Sequence, residues 1–469
     1  MGAGTDGNIV TNCPVMNGHA VLSRYREFLE RIPPECRGEG LIPGTVEGLT
    51  VRDPDAVLRA SGRGESIIFL PGPEHREEDL ITCWGVADAT VITKPFAGAR
   101  AWPRVFGRPS VYLSGGDIEE GSWLTVDGTS GAVFSQRIAE YLGQVRQALM
   151  DSVTDLEAVS VWTTAVDPAE IAQAVSAGAE GVGMFRSEMI YQEEPFHSLL
   201  KRLLLGKIPS TGNRWVEMET ARMVDVLKAA GEKPFYFRLL DVAAHEYLDA
   251  ASLVEMGKME VNPMLGRRGC RLGLIRPEIY RGQVRALAQA WKACGERAPL
   301  GLVIPGVSGP EEIDAVSDLV KPILKSEGVL DKISIGVMIE TPRAALQAGE
   351  LAHQVESVHF GTNDLTQATY ALSRDDADQV VDPYIQEGIW NADPFHQIDE
   401  AGVGRLVEMA LEEMGAIRKG LWHTWCGEQA THPLAITWAH RVGLRSVSVP
   451  ALWVEAVRFR SALEALSHS

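Results

Sequence analysis

Five short apolar segments of this chain end in residues able to do chemistry. They read Met184-Phe185-Arg186, Phe237-Arg238-Leu239-Leu240-Asp241, Met338-Ile339-Glu340, Gly361-Thr362-Asn363-Asp364 and Trp425-Cys426-Gly427-Glu428. Two carboxylates such as Glu340 and Asp364, brought side by side, are the arrangement Mg²⁺ favours, because it takes a few fixed hard oxygens and leaves its other positions to water or ligand. Arg186 and Arg238 offer planar bidentate donors to a phosphate or carboxylate, which lysine matches less well. Together they describe a site for a small dianion beside a divalent cation. Taken singly, each charge reads equally well as a salt-bridged rim residue, and it is the convergence of several such groups that argues against that reading for the set.

Two further residues leave alternatives open. Cys426 could exchange a proton with a carbon next to a carbonyl, although a cysteine in an apolar strand is more often packing. His245, in Asp241-Val242-Ala243-Ala244-His245-Glu246, reads as an acid/base group or as a structural hydrogen-bonding residue, the second being the commoner case.

Residues this far apart in sequence meet only if the fold gathers them. From about residue 156 the chain alternates short apolar strands with amphipathic helices, the pattern of βα units around a parallel sheet. Candidate strands fall near 159–163, 181–185, 235–240, 258–262, 300–305, 333–339, 356–361 and 421–425, the fourth being short and polar (Met259-Glu260-Val261-Asn262). Eight strands predict a carboxy-terminal (β/α)8 TIM barrel over 156–469, whose functional groups sit at the carboxyl ends of the strands. Ahead of it, residues 51–135 read as a small α/β domain. Its strands lie at Ser66–Leu70 and Thr90–Thr93, its helix at Glu78–Val86, and its last hairpin joins Ser122–Val126 to Ala132–Phe134 through Asp127-Gly128-Thr129-Ser130-Gly131. A helical linker over 136–155 joins the two, and residues 1–50, with one amphipathic stretch near Val21 to Arg31, are left unassigned.

Composition narrows the partners. A formal net charge of −19 argues against nucleic acid and anionic membranes, because phosphate backbones attract basic faces. It leaves small anions as ligands wherever local arginines override the global field. No apolar run approaches the ~20 residues that span a bilayer, and the amino terminus lacks a signal peptide's basic and apolar regions. The six cysteines show no CxxC spacing, which disfavours a zinc knuckle or a disulfide framework. These features predict a cytoplasmic protein with a small-molecule ligand.

Read in order, several segments resemble one family. They are Gly181-Val182-Gly183-Met184-Phe185-Arg186-Ser187-Glu188, "FRLLDVAAHEYL" from Phe237, "NPMLGRRGCRLGLIRPEIY" from Asn262, "GVMIETPRAAL" from Gly336, "GTNDLTQATYALSRDD" from Gly361 and "CGEQATHP" from Cys426. The likeness is to the pyruvate, phosphate dikinase family, and less closely to phosphoenolpyruvate synthase and the first enzyme of the sugar phosphotransferase system. It runs from about residue 150 to 469, and "GIWNADPFHQIDEAGVGRLV" from Gly388 tilts it toward the dikinase. The resemblance implies that Arg186 and Arg238 hold the phosphate and that Glu340 and Asp364 bind Mg²⁺. Asn363 and Arg374 would hold the substrate's phosphate or carboxylate, with Arg268 as a further contact. Cys426 would protonate the enolate of pyruvate. The resemblance also implies a homodimer.

Residues 64–134 fit the frame of that family's swivelling phosphohistidine domain, whose Gly-Gly-Met-Thr-Ser-His-Ala signature should fall in the middle. Here the stretch reads Lys94-Pro95-Phe96-Ala97-Gly98-Ala99-Arg100-Ala101-Trp102-Pro103-Arg104. Gly98 stands where the histidine belongs, and no histidine occurs between His75 and His197. The domain is therefore expected to be degenerate, and His75 in the preceding loop to be no substitute, since a nucleophile must be positioned as well as present. The family's ATP-grasp domain has no counterpart in the sequence, nor does a G-x-x-x-x-G-K loop, so ATP-dependent dikinase activity is not expected of this chain alone. The expectation is a Mg²⁺-dependent enzyme acting on phosphoenolpyruvate, pyruvate or a close analogue. It would pass a phosphoryl group directly to an acceptor or through a separate phosphocarrier protein. One competing reading is a lyase or mutase working through a pyruvate enolate; another is a noncatalytic regulator that kept the pocket, against which the intact acids, arginines and Cys426 count.

Overall fold

Short runs of β-branched and aromatic residues, punctuated by glycine and proline, set the strands of this chain. The computed structural model describes all residues except 1–17, 32–33, 35, 38, 95–107, 114–117, 153–157, 208–211, 256–261, 263–264 and 469. The chain divides into two units, Met1–Ala158 with Glu455–Ser469, and Val159–Val454. The last helix, Val454–His468, thus falls almost wholly in the first unit, so the barrel stops short of the expected residue 469.

The first unit is built on an eight-stranded sheet. Its strands are β1 (Cys36–Arg37), β2 (Glu39–Ile42), β3 (Thr45–Val51), β4 (Ile67–Phe69), β5 (Ala89–Ile92), β6 (Ser110–Tyr112), β7 (Trp123–Asp127) and β8 (Ala132–Phe134). They lie in the order β1-β8-β7-β3-β4-β5-β6-β2. Strands β3 to β6 run parallel and β7 and β8 form the expected hairpin. Strands β1, β2 and most of β3 come from the stretch left unassigned in the sequence. The helices Gly18–Arg31 and Ala139–Asp151 share a core with the last helix, through Leu22, Tyr25, Leu142, Leu149, Phe459 and Leu466. The segment expected to be a linker therefore contributes to a core.

The stretch that carries Gly98, Arg100 and Arg104 lies outside the described residues. His75 is described, and both of its ring nitrogens are engaged by backbone. Nδ1 lies 3.0 Å from the Gly72 N–H and Nε2 3.0 Å from the Arg52 carbonyl, so this imidazole is committed to holding its loop.

The second unit is a closed barrel of parallel strands. They are β9 (Ser160–Ala165), β10 (Val182–Arg186), β11 (Phe235–Arg238), β12 (Leu300–Ile304), β13 (Ile333–Ile339), β14 (Ser357–Gly361), β15 (Trp422–Cys426) and β16 (Ser446–Pro450). One expected strand needs correction. Of 258–262 only Asn262 is described, and β11 pairs directly with β12 from Phe235↔Leu300 to Arg238↔Val303, leaving no place in the barrel for a strand between them. The eighth strand is β16, which closes the sheet between β15 and β9. Its Ser-Val-Ser-Val alternation imitates a half-exposed strand, but Ser446 and Ser448 are both buried.

Helices start where proline and a short polar residue say they should. Asp167 caps the helix Pro168–Ser176, its Oδ1 accepting from the N–H groups of Ala169 (2.7 Å) and Glu170 (2.9 Å), with Pro168 in the first turn. Inside the barrel the rings of Tyr236 and Trp422 stack at 4.6 Å, with Trp162 and His359 against them. Burial pushes His359 down to about 3, so it stays neutral in this plug.

Candidate active site

A cavity of about 450 Å³ opens at the carboxyl ends of the barrel strands. Arg186, Arg238, Arg268, Glu340, Asn363, Asp364, Arg374 and Cys426 all line it, as does His245. Arg186, Arg238, Glu340, Asn363, Asp364 and Cys426 come from strand ends or the residues directly after them, His245 and Arg268 from the long connection after β11, and Arg374 from the turn after the helix Thr362–Tyr370.

The acids come first, because they decide what else the cavity can hold. One oxygen each from Asp241, Glu340 and Asp364 lies within 4.8 Å of the others. Asp241 is the least available of the three. Arg268 grips it with two bonds, Nε to Oδ1 at 3.0 Å and Nη2 to Oδ2 at 2.8 Å, and Arg238 Nη1 lies 3.2 Å from Oδ2. Burial alone would raise the Asp241 carboxyl, but the guanidinium groups of Arg238 and Arg268 outweigh it and hold it at about 2. Asp364 accepts from Arg268 Nη1 at 3.0 Å. Glu340 is different. Its Oε1 accepts from the Gly306 N–H, while Oε2 is buried without a hydrogen-bond partner. Burial, reinforced by the charges of Asp241 and Asp364, pushes its carboxyl up to about 8. A Cβ at position 361 would lie 2.9 Å from that oxygen, so Gly361 leaves it room. A divalent cation would supply the partner Oε2 lacks and screen the repulsion that raises the carboxyl. The donor set of Glu340 and Asp364 therefore fits Mg²⁺, with Asp241 fixing the arginines beside it.

Among the cations, Arg186 Nε donates to Glu188 Oε1 at 2.8 Å and Arg238 Nη2 donates to the same oxygen. Arg238 is buried, and its Nε has no partner. Glu188 and Asp241 thus hold the two guanidinium groups in place, a role not assigned to either from sequence. The signal for Glu188 was its position two residues after Arg186 at a strand end. Arg374 is half exposed, with Nη1 3.6 Å from Glu428 Oε1. Asn363 Oδ1 accepts from the Glu428 N–H at 3.0 Å, which leaves its amide NH₂ to donate to a ligand. Tyr247, also missed from sequence, lines the cavity and donates its hydroxyl to the Glu188 carbonyl at 3.2 Å.

Cys426 is buried among Met184, Val303 and Met338. Burial pushes its thiol up to about 12, against a smaller downward pull from Arg238 and a hydrogen bond with Ser448. It is therefore a protonated thiol at neutral pH, suited to giving a proton rather than attacking as a thiolate.

A closed parallel barrel that gathers carboxylates, guanidinium groups and a buried, protonated thiol at its carboxyl end is an arrangement suited to holding a small anion. Residues 141–465 match the family described as PEP-utilising enzyme, PEP-binding domain, and the chain belongs to that family. It is 30% identical to the pyruvate, phosphate dikinase of Clostridium symbiosum over 91% of this chain and 54% of that one. It is 29% identical to the dikinase of Giardia intestinalis, over 94% and 55%. The chain spans about half the length of these curated relatives. Among the described residues no helix is long and apolar enough to cross a membrane.

Proposed function

We propose that the barrel binds phosphoenolpyruvate or pyruvate with Mg²⁺ and moves a phosphoryl group between the enol oxygen and an acceptor that reaches the cavity mouth. The observation that carries this reading is the unpartnered Oε2 of Glu340 beside Asp364, at the edge of an arginine array and within the same cavity as Cys426. When bound, Mg²⁺ would supply charge stabilisation for the enolate oxygen.

The chain's own residues do the rest. Glu340 and Asp364 would hold the cation. Arg186 and Arg238, fixed by Glu188 and Asp241, receive the phosphoryl oxygens and stabilise the charge that grows on them as the P–O bond breaks. Asn363 and Arg374 orient the carboxylate end of the substrate. Once the phosphoryl group has left, Cys426 gives its S–H proton to C3 of the enolate, forming the methyl group of pyruvate, and the thiolate recovers a proton from solvent. In the reverse direction the same thiolate removes a methyl proton. The acceptor is a small molecule, or a histidine of a separate carrier protein that becomes phosphohistidine as the P–O bond breaks and gives the group back in the reverse direction, since the chain has no histidine where the family's carrier residue would stand.

Phosphoenolpyruvate, pyruvate, oxaloacetate and phosphonopyruvate, each followed by phosphorus and proton NMR with and without Mg²⁺, test this reading. Mg²⁺-dependent exchange of the pyruvate methyl protons with solvent deuterium is expected. Turnover of phosphonopyruvate or oxaloacetate with no effect on phosphoenolpyruvate or pyruvate would replace phosphoryl transfer by C–P or C–C chemistry.

A further inference from the structure

Two buried glutamines, neither of which lines the cavity, each join a pair of neighbouring strand ends that do. Gln283, on the helix Pro277–Ala293, is fully buried. Its Oε1 accepts from the Leu240 N–H at 2.9 Å and its Nε2 donates to Ser187 Oγ at 3.2 Å. Ser187 sits between Arg186 and Glu188, and Leu240 precedes Asp241. One amide therefore spans the ends of β10 and β11 just where the chain leaves the sheet ladder and its backbone groups need new partners.

Gln429, on the turn after β15, is equally buried. Its Oε1 accepts from Thr362 Oγ1 at 2.8 Å, and its Nε2 donates to Thr366 Oγ1 and to the Pro394 carbonyl, each at 3.1 Å. Thr362 Oγ1 also accepts from Trp425 Nε1 at 2.8 Å. Thr362 precedes Asn363 and Asp364, and Trp425 precedes Cys426, so this amide spans the ends of β14 and β15. A buried amide is costly unless every polar group finds a partner. Both amides bond residues flanking the site, Gln283 also meeting the buried Tyr191 and Glu219 and Gln429 also the Pro394 carbonyl, and a connected network of this kind fixes one arrangement of what it touches.

We propose that Gln283 and Gln429 are positioning residues with separate charges. Gln283 sets the Arg186, Glu188 and Arg238 array that receives the anion. Gln429 sets Asp364 of the cation pair and its neighbour Asn363. The inference rests on the reading of the cavity as a site for phosphoenolpyruvate with a divalent cation. It goes beyond that reading in assigning the two halves of the site to two different supports.

The test uses the full chain with Gln283→Met and Gln429→Met, which keep side-chain volume and remove the amide. The milder Ser187→Ala and Thr366→Val each cut one link of the same networks. Mn²⁺ affinity is read without substrate from the electron paramagnetic resonance of the free ion, and phosphoenolpyruvate affinity by calorimetry at saturating Mn²⁺. Gln429→Met should raise the Mn²⁺ Kd by about 10- to 100-fold, as loss of support behind a metal ligand does. Gln283→Met should leave the Mn²⁺ Kd within about threefold and raise the phosphoenolpyruvate Kd about tenfold. Ser187→Ala and Thr366→Val should follow their partners in direction with smaller shifts, and they decide the matter if a methionine variant does not fold. General loosening of the barrel would not divide the two affinities between the two variants. Equal shifts of both affinities in both folded variants, or parent-like binding in all of them, would overturn the proposal. A parent that binds neither Mn²⁺ nor phosphoenolpyruvate would instead remove the functional reading, and this inference with it.

Discussion

Mg²⁺ binding should strengthen as pH rises and level off above about pH 8. The cause is Glu340, whose carboxyl is pushed up to about 8 by burial and by the neighbouring charges of Asp241 and Asp364. At neutral pH an arriving cation must displace its proton. Each pH unit below the carboxyl's own value then weakens apparent affinity about tenfold, or ~1.4 kcal/mol, giving roughly tenfold at pH 7 and roughly a hundredfold at pH 6 relative to the plateau. Without the cation the same shift acts oppositely on the fold. A carboxyl whose value is raised on folding favours the folded state at low pH, and that contribution is lost as pH rises from the ordinary carboxylate range through about 8. Glu219, pushed up to about 8 by burial, behaves the same way, but Mg²⁺ should recover only the share due to Glu340. Titration calorimetry from pH 6 to 9, with thermal melts at each pH, reads both effects. In Glu340→Gln the affinity should be weak and its pH dependence shallow. Parent affinity that is flat between pH 6 and 8, or a Glu340→Gln variant that binds as the parent does, would refute the reasoning.

Three more outcomes follow from the same geometry. Cys426→Ala should keep ligand binding yet slow exchange of the pyruvate methyl protons with deuterium by about 10²- to 10⁴-fold; exchange at the parent rate would return Cys426 to packing. Glu188→Ala should destabilise the protein by about 3–5 kcal/mol, because it strips the buried Arg238 of one of its two carboxylates. Phosphoenolpyruvate should raise the melting temperature of that variant more than that of the parent, and unchanged stability would contradict this. Phosphate-labelled phosphoenolpyruvate with Mg²⁺ should leave the polypeptide unlabelled, since Gly98 replaces the expected histidine and His75 is held by backbone at both nitrogens. Acid-labile label between Thr90 and Gly107 would show a nucleophile in that segment.

The barrel was legible because buried parallel strands announce themselves as short apolar runs at regular intervals, and seven of its strands lie within a few residues of their expected places. The exception has a physical cause. Ser446-Val447-Ser448-Val449 reads as a half-exposed strand because serine and valine alternate, yet its serine face and its valine face are both buried in the closed sheet, and of Met259-Glu260-Val261-Asn262 only Asn262 is described. The cavity residues were legible for a different reason: charges placed directly after apolar strands stand out against their surroundings. What could not be seen was how those charges neutralise one another. Arg268 bridges Asp241 and Asp364 across 96 residues in one bond and 27 in another, and Glu188 serves Arg186, 2 residues away, and Arg238, 50 residues away. Nor does sequence reveal that Glu340 Oε2 is left without a partner, which is a property of packing rather than of residue type.

On the proposed function, this cavity takes phosphoenolpyruvate through a divalent cation held by Glu340 and Asp364. Calorimetric titration of the full chain with phosphoenolpyruvate, with Mg²⁺ and then with chelator, tests it most directly. Saturable binding of one ligand per chain is expected, supported by Mg²⁺, abolished by chelator and lost in Glu340→Ala and Asp364→Ala. Binding of equal strength under chelator, or no binding in the presence of Mg²⁺, would contradict it.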